Sequence, residues 1–285
     1  MIRTLFADLL SFVKKPNDQQ ITLSITQKFK LIFILLSIEL ILTFSIILPL
    51  NLGINELVQV KNMKYDYSDT FLQSLLLWVL LVPFIEELVF RYVLRYQGLK
   101  KRFLKKTTWN IIFPALVYIF SIGFGFIHIS NYLNEDKLFL ILSPFIILSQ
   151  LLGGLIITFI RVRINFVWGV LYHCLWNFLF VIAVPILEIN ISKPYIEKNE
   201  NYKISIIEKP FYNLDESQTL KVDSANGKIY NIKLNQYSLQ NLLDTLYIKD
   251  KYYVDDVLIK MEYNSKKGVT EKEFIDVLRK EYDIN

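Results

Sequence analysis

Long apolar runs fill the first two thirds of the chain, separated by short charged stretches. Five of them, at about 31–50, 70–96, 109–129, 138–160 and 166–187, are long enough as helices to cross the ~30 Å hydrocarbon core of a bilayer. Ahead of them, residues 1–30 begin with an apolar stretch interrupted by Asp8 and followed by no small-residue cleavage site. That pattern predicts an amphipathic segment on the membrane surface rather than a secretory signal. After Leu187 the sequence turns charged and rich in Asn and Lys. Alternation predicts strands at 202–207 and 228–234, with Asn226-Gly227 as a hairpin turn after 220–222. Helical spacing at 238–246 and 271–281, with Ser238 and Thr270 as caps, and a further strand at 257–261 complete the expectation. The predicted fold is an α-helical multi-pass membrane bundle of about five spans, residues 31–188, with a small C-terminal α+β soluble domain, residues 189–285.

Charge adds an orientation. Of the 285 residues 53% are apolar, and the net charge of +5 is unevenly placed. Residues 1–188 hold 17 Lys and Arg against 11 Asp and Glu, whereas residues 189–285 hold 15 against 16. The excess therefore lies with the apolar part, where it orients spans rather than binding nucleic acid. Lys28 and Lys30 precede the first span, Arg95, Lys100, Lys101, Arg102, Lys105 and Lys106 gather after the second, and Arg161 and Arg163 follow the fourth. The positive-inside rule then predicts a cytoplasmic N-terminus and, after five spans, a C-terminal domain outside; the basic loops fit a bacterial inner membrane as well as an endoplasmic reticulum, and the absence of cysteine from residues 189–285 favours the bacterial membrane. Cys174 is the sole cysteine and can form no internal disulfide.

Polar residues within the spans carry the chemistry. Ionised groups are costly in a bilayer and mark functional sites by default. The second span ends in Pro83-Phe-Ile-Glu86-Glu87-Leu-Val-Phe-Arg91, where Glu87 and Arg91 are four apart and share a helix face while Glu86 lies about 100° away. Both histidines of the chain are also in spans: His128 beyond Gly123 and Gly125, and His173, which shares a face with Asn177. A carboxylate can act as general base on water, a histidine can share or return the proton, and a second histidine with an amide can hold the oxyanion of a tetrahedral intermediate. The same Glu86, His128 and His173 could instead ligate a divalent metal such as Zn, with a position open for water. Taken singly, Glu87 with Arg91 reads as a structural ion pair, Asn177 as a bond between helices, and Glu39 and Gln150 as structural polar groups.

Together the three motifs, Glu-Glu-x-x-x-Arg, Phe-x-x-x-His and His-x-x-x-Asn in that order, resemble the CPBP (Abi) family of intramembrane proteases, named for the type II CAAX prenyl endopeptidase. The resemblance covers about 70–182 and includes Gln150-Leu-Leu-Gly-Gly154. It implies an endopeptidase acting on a membrane-embedded or membrane-proximal protein or peptide, with Glu86 activating water. Glu87 and Arg91 would then orient and stabilise, His128 assist the water, and His173 with Asn177 hold the oxyanion. The family includes members described as metal-dependent and as metal-independent, so both routes stay open. A non-catalytic scaffold or bacteriocin-immunity-type protein on the same fold is the alternative, and a proton-coupled transporter a more distant one. Glu86 and His173 fall well inside their predicted spans whereas His128 falls near the end of its own, although one site requires them at one level.

Overall fold

The computed structural model describes residues 2–63, 69–249 and 251–285. The chain is an integral membrane protein: after α1 (Ile2–Lys14), five helices are long and apolar enough to span a bilayer, α2 (Ile25–Asn55), α3 (Phe71–Phe90), α4 (Lys106–Asn131), α5 (Lys137–Arg163) and α6 (Phe166–Ile191). The chain forms two compact units, Met1–Met63 with Leu77–Phe178, and Lys64–Leu76 with Leu179–Asn285.

In three spans the helix widens just ahead of a proline. Thr43–Ile47 in α2, Leu75–Leu81 in α3 and Phe178–Ala183 in α6 are π-helical, and each stretch ends two residues before Pro49, Pro83 or Pro185. A proline inside a helix has no N–H to donate and its ring collides with the carbonyl one turn back. A wider turn removes the collision without breaking the span.

The second span is shorter than its apolar run. Arg91 leaves helical geometry at φ −127°, ψ −18°, and the side chain of Arg161 explains the stop: its Nε donates to the carbonyl of Arg91 at 3.1 Å and its Nη2 to that of Tyr92 at 3.0 Å. Arg163 is likewise buried, held by Asp8 Oδ1 and Oδ2 and by the carbonyls of Asn17 and Gln19. These two arginines, counted above as loop charges, thus satisfy backbone and carboxylate groups inside the protein. The N-terminal segment also packs on protein: Leu9 and Phe12 of α1 are buried, and Phe12 meets Phe159 of α5 edge to face at 5.5 Å.

The α4 and α5 helices run side by side through small residues, which let helix backbones approach in a membrane. Leu151 of α5 occupies the space that a side chain on Gly125 of α4 would need, and the hydroxyls of Ser121 and Thr158 lie 3.2 Å apart.

In the second unit, β1 (Tyr195–Lys198), β2 (Tyr202–Lys209), β3 (Thr219–Ala225), β4 (Lys228–Ser238) and β5 (Leu258–Val269) form an antiparallel sheet in the order β1-β2-β5-β4-β3. α7 (Leu239–Leu246) and α8 (Glu271–Leu278) supply Leu242, Leu243, Phe274 and Leu278 to a core shared with Ile204, Ile232, Leu234 and Met261. Asn226 and Gly227 make the expected turn with φ of 52° and 70°. The strand expected at 257–261 extends to Val269 because Lys260, Glu262, Asn264 and Lys266 point from the open face while alternate residues are buried. Its second half reads as polar for that reason.

Candidate active site

The last two turns of α3, which begin at Pro83 after the wide turns, carry Glu86 and Glu87, and Arg91 caps the C-terminal end. Glu87 is 1% exposed and Arg91 is fully buried. Arg91 Nη1 donates to Glu87 Oε1 at 2.6 Å, and its guanidinium carbon stacks 3.8 Å above the ring of Phe124 from α4. Glu87 Oε1 also accepts from His173 Nδ1 at 2.9 Å, and Glu86 Oε2 lies 3.4 Å from the other ring nitrogen, Nε2. One imidazole is thus placed between two carboxylates from consecutive positions of α3. Their surroundings differ: Glu87 is enclosed, whereas the side chain of Glu86 retains 24% of its exposure.

His128 joins beside Phe124, whose ring centroid is 4.8 Å from His128 and 5.6 Å from His173. The mismatch in level found in the sequence resolves here. The first half of α4 is taken up by the N-terminal segment, with Trp109 Nε1 donating to Asp18 at 2.9 Å and Tyr118 Oη to the carbonyl of Val13 at 2.6 Å. It is therefore Phe124, late in the helix, that meets Phe90 of α3 at 5.6 Å. His128 Nδ1 is 2.8 Å from the carbonyl of Phe124. A carbonyl can only accept, so Nδ1 carries the proton and Nε2 offers a lone pair in the neutral ring.

Asn177 lies one turn beyond His173 on α6, and its Nδ2 donates to the carbonyl of Trp78 at 2.8 Å. In a π-helical turn that carbonyl would look to the residue five positions on, which is Pro83 and has no N–H. The asparagine supplies the missing donor.

The motif residues all lie within one segment of the chain. Residues 68–179 match the family described as Type II CAAX prenyl endopeptidase Rce1-like. This segment is Rce1-like. No curated protein and no solved structure matches the chain. The Rce1-like segment contains Glu86, Glu87, Arg91, His128, His173 and Asn177, and the chain has a CAAX protease-like membrane region on that ground; α1, α2 and the C-terminal sheet lie outside the match.

Several contributors to the Rce1-like region escaped the sequence reading. A side-chain carbon at Gly154 would lie 3.1 Å from Phe124 and 3.4 Å from Arg91 Nη2, and one at Gly169 would lie 3.7 Å from Glu87 Oε2. These glycines leave room for the charged pair. The Gly153-Gly154 doublet was visible as part of the resemblance, but nothing local said which side chains it admits. For a metal, the arrangement fits poorly: among the described residues no three His, Cys, Asp or Glu side chains converge as ligands. His173 has a carboxylate at each nitrogen. The set Glu86, His128 and His173 therefore does not form a three-ligand site in this geometry.

Proposed function

We propose that the protein is an intramembrane endopeptidase in which Glu86 activates water and His173 carries the proton to the leaving nitrogen. The observation that carries this reading is the His173 ring between Glu87 at 2.9 Å and Glu86 at 3.4 Å. Glu87, neutralised by Arg91, accepts from Nδ1–H and so fixes the tautomer and the plane of the ring, as a buried carboxylate does for a catalytic histidine. Nε2 is then the acceptor facing Glu86.

Glu86, the more exposed carboxylate, takes a proton from water as the oxygen attacks the scissile carbonyl carbon, and the carbonyl electron pair moves to oxygen. The proton passes from Glu86 to Nε2. The resulting imidazolium, stabilised by Glu87, protonates the amide nitrogen as the carbon–nitrogen bond breaks. His128, with its Nε2 lone pair free to accept, positions the water. Asn177 has a second amide hydrogen for the oxyanion besides the one on Trp78, so its structural and catalytic duties are compatible.

The substrate in this reading is a membrane-embedded or membrane-proximal protein or peptide, reached from the side where Glu86 is exposed. The basic loops support a cytoplasmic N-terminus in this reading. The test compares membrane-protein fragments released in cells by wild type and by Glu86→Gln at matched expression, using mass spectrometry. Peptides present only with wild type identify both enzyme and cleavage site. Identical peptide profiles with an intact cellular phenotype would favour the scaffold instead.

A further inference from the structure

A second buried polar pair stands behind the site and takes no part in the proposed chemistry. Glu39, midway along α2, is 1% exposed, Tyr172 of α6 is fully buried, and the tyrosine hydroxyl donates to Glu39 Oε2. Gly153 of α5 makes the space: a side-chain carbon there would lie 2.7 Å from Glu39 Oε1. A carboxyl group at this position of a span needs a reason.

The sequence neighbour of its partner provides one. Tyr172 immediately precedes His173, and successive residues of a helix diverge by about 100°. One turn of α6 therefore presents Tyr172 to α2 and His173 to α3. Gly153 and Gly154 repeat the arrangement on α5, the first against Glu39 and the second against Arg91 and Phe124. The two polar pairs are joined through adjacent residues on two helices. A hydrogen bond on one side of α6 resists rotation of that helix about its axis, and the group on the other side is the imidazole whose Nδ1 has to meet Glu87.

We propose that Glu39 and Tyr172 are positioning residues that hold the rotation of α6 and thereby seat His173 between Glu86 and Glu87. The effect on rate rests on the protease reading; the effect on the imidazole does not. The chain has two histidines, so full-length protein labelled with ¹³C,¹⁵N-histidine and reconstituted in liposomes gives two imidazole spin systems by solid-state NMR, assigned with His128→Gln. Tyr172→Phe removes the donor, Glu39→Leu removes the acceptor, and Glu39→Gln keeps an acceptor oxygen. We expect His173 to show the Nδ1–H tautomer in wild type and in Glu39→Gln. In Tyr172→Phe and Glu39→Leu its signals should shift or split while those of His128 stay in place. Gly153→Ala, which crowds Glu39 without altering Tyr172, should act like Glu39→Leu and serves if either of those variants fails to insert. On a peptide whose release requires Glu86, Tyr172→Phe should lower kcat by ~10-fold or more with KM unchanged, since a misplacement of ~1 Å can cost ~10²-fold. Unchanged His173 signals in the folded variants, or equal movement of both histidines, would overturn the proposal. Absence of any Glu86-dependent cleavage by wild type would remove the protease reading and leave the NMR result to decide this one.

Discussion

Removing Arg91 tests the electrostatic frame of the site. The guanidinium and the Glu87 carboxylate meet at 2.6 Å with side-chain exposures of 0% and 1%, so neither has water to fall back on. With charge centres ~4 Å apart and an effective dielectric constant of ~20, their attraction is about 4 kcal/mol. Loss of one partner from a buried pair costs ~3–5 kcal/mol because the other charge is left uncompensated. Arg91→Met keeps much of the side chain's bulk over Phe124 and removes the charge, and should lower stability by that amount. The thermal midpoint of purified protein in detergent should fall by roughly 6–20 °C, at ~2–4 °C per kcal/mol. The decisive comparison is with Glu87→Gln/Arg91→Met, in which neither charge of the pair remains: it should be more stable than Arg91→Met alone. If the second substitution instead adds its own loss, or if Arg91→Met costs less than ~1 kcal/mol, the pair does not hold the site as described.

Gly125→Val should destabilise by ~1–3 kcal/mol in the same thermal assay through overlap with Leu151, whereas Gly53→Ala in α2, which meets nothing within 4 Å, should be neutral or stabilising by up to about 1 kcal/mol. Asn177→Leu should cost ~1 kcal/mol by withdrawing the donor from the Trp78 carbonyl, an effect measurable whether or not cleavage is followed. In the second unit, hydrogen bonds from Lys280, Tyr195 and Tyr202 bring the Glu197 carboxyl down to about 2 from an ordinary 4.5. Its stabilising contribution is therefore complete above pH ~4.5 and disappears as the pH falls towards ~2. A carboxyl NMR titration should find it there, and Lys280→Met should move it upward.

The motif residues of the candidate site could be read directly because each part of the motif is local. Glu86, Glu87 and Arg91 lie on one helix end, His173 and Asn177 are one turn apart, and charged or imidazole groups in apolar runs are too costly to escape notice. Spans were legible for the same reason: a bilayer demands about twenty apolar residues, and that demand is written consecutively along the chain. Where spans stop was not. The α3 helix ends at Phe90 rather than at residue 96 because Arg161, distant in sequence, takes the carbonyls of Arg91 and Tyr92.

Longer-range choices belonged to packing alone. Which carboxylate is enclosed and which is open, and which ring nitrogen meets which glutamate, appear only when α3 and α6 pack together with Gly154 and Gly169 admitting the charged pair. Glu39 is the clearest case. That a carboxyl group lies in the first span can be read from residue 39 alone. That it meets Tyr172 is a product of packing, because the hydrogen bond joins residues 133 positions apart and exists only once α2, α5 and α6 have packed around Gly153.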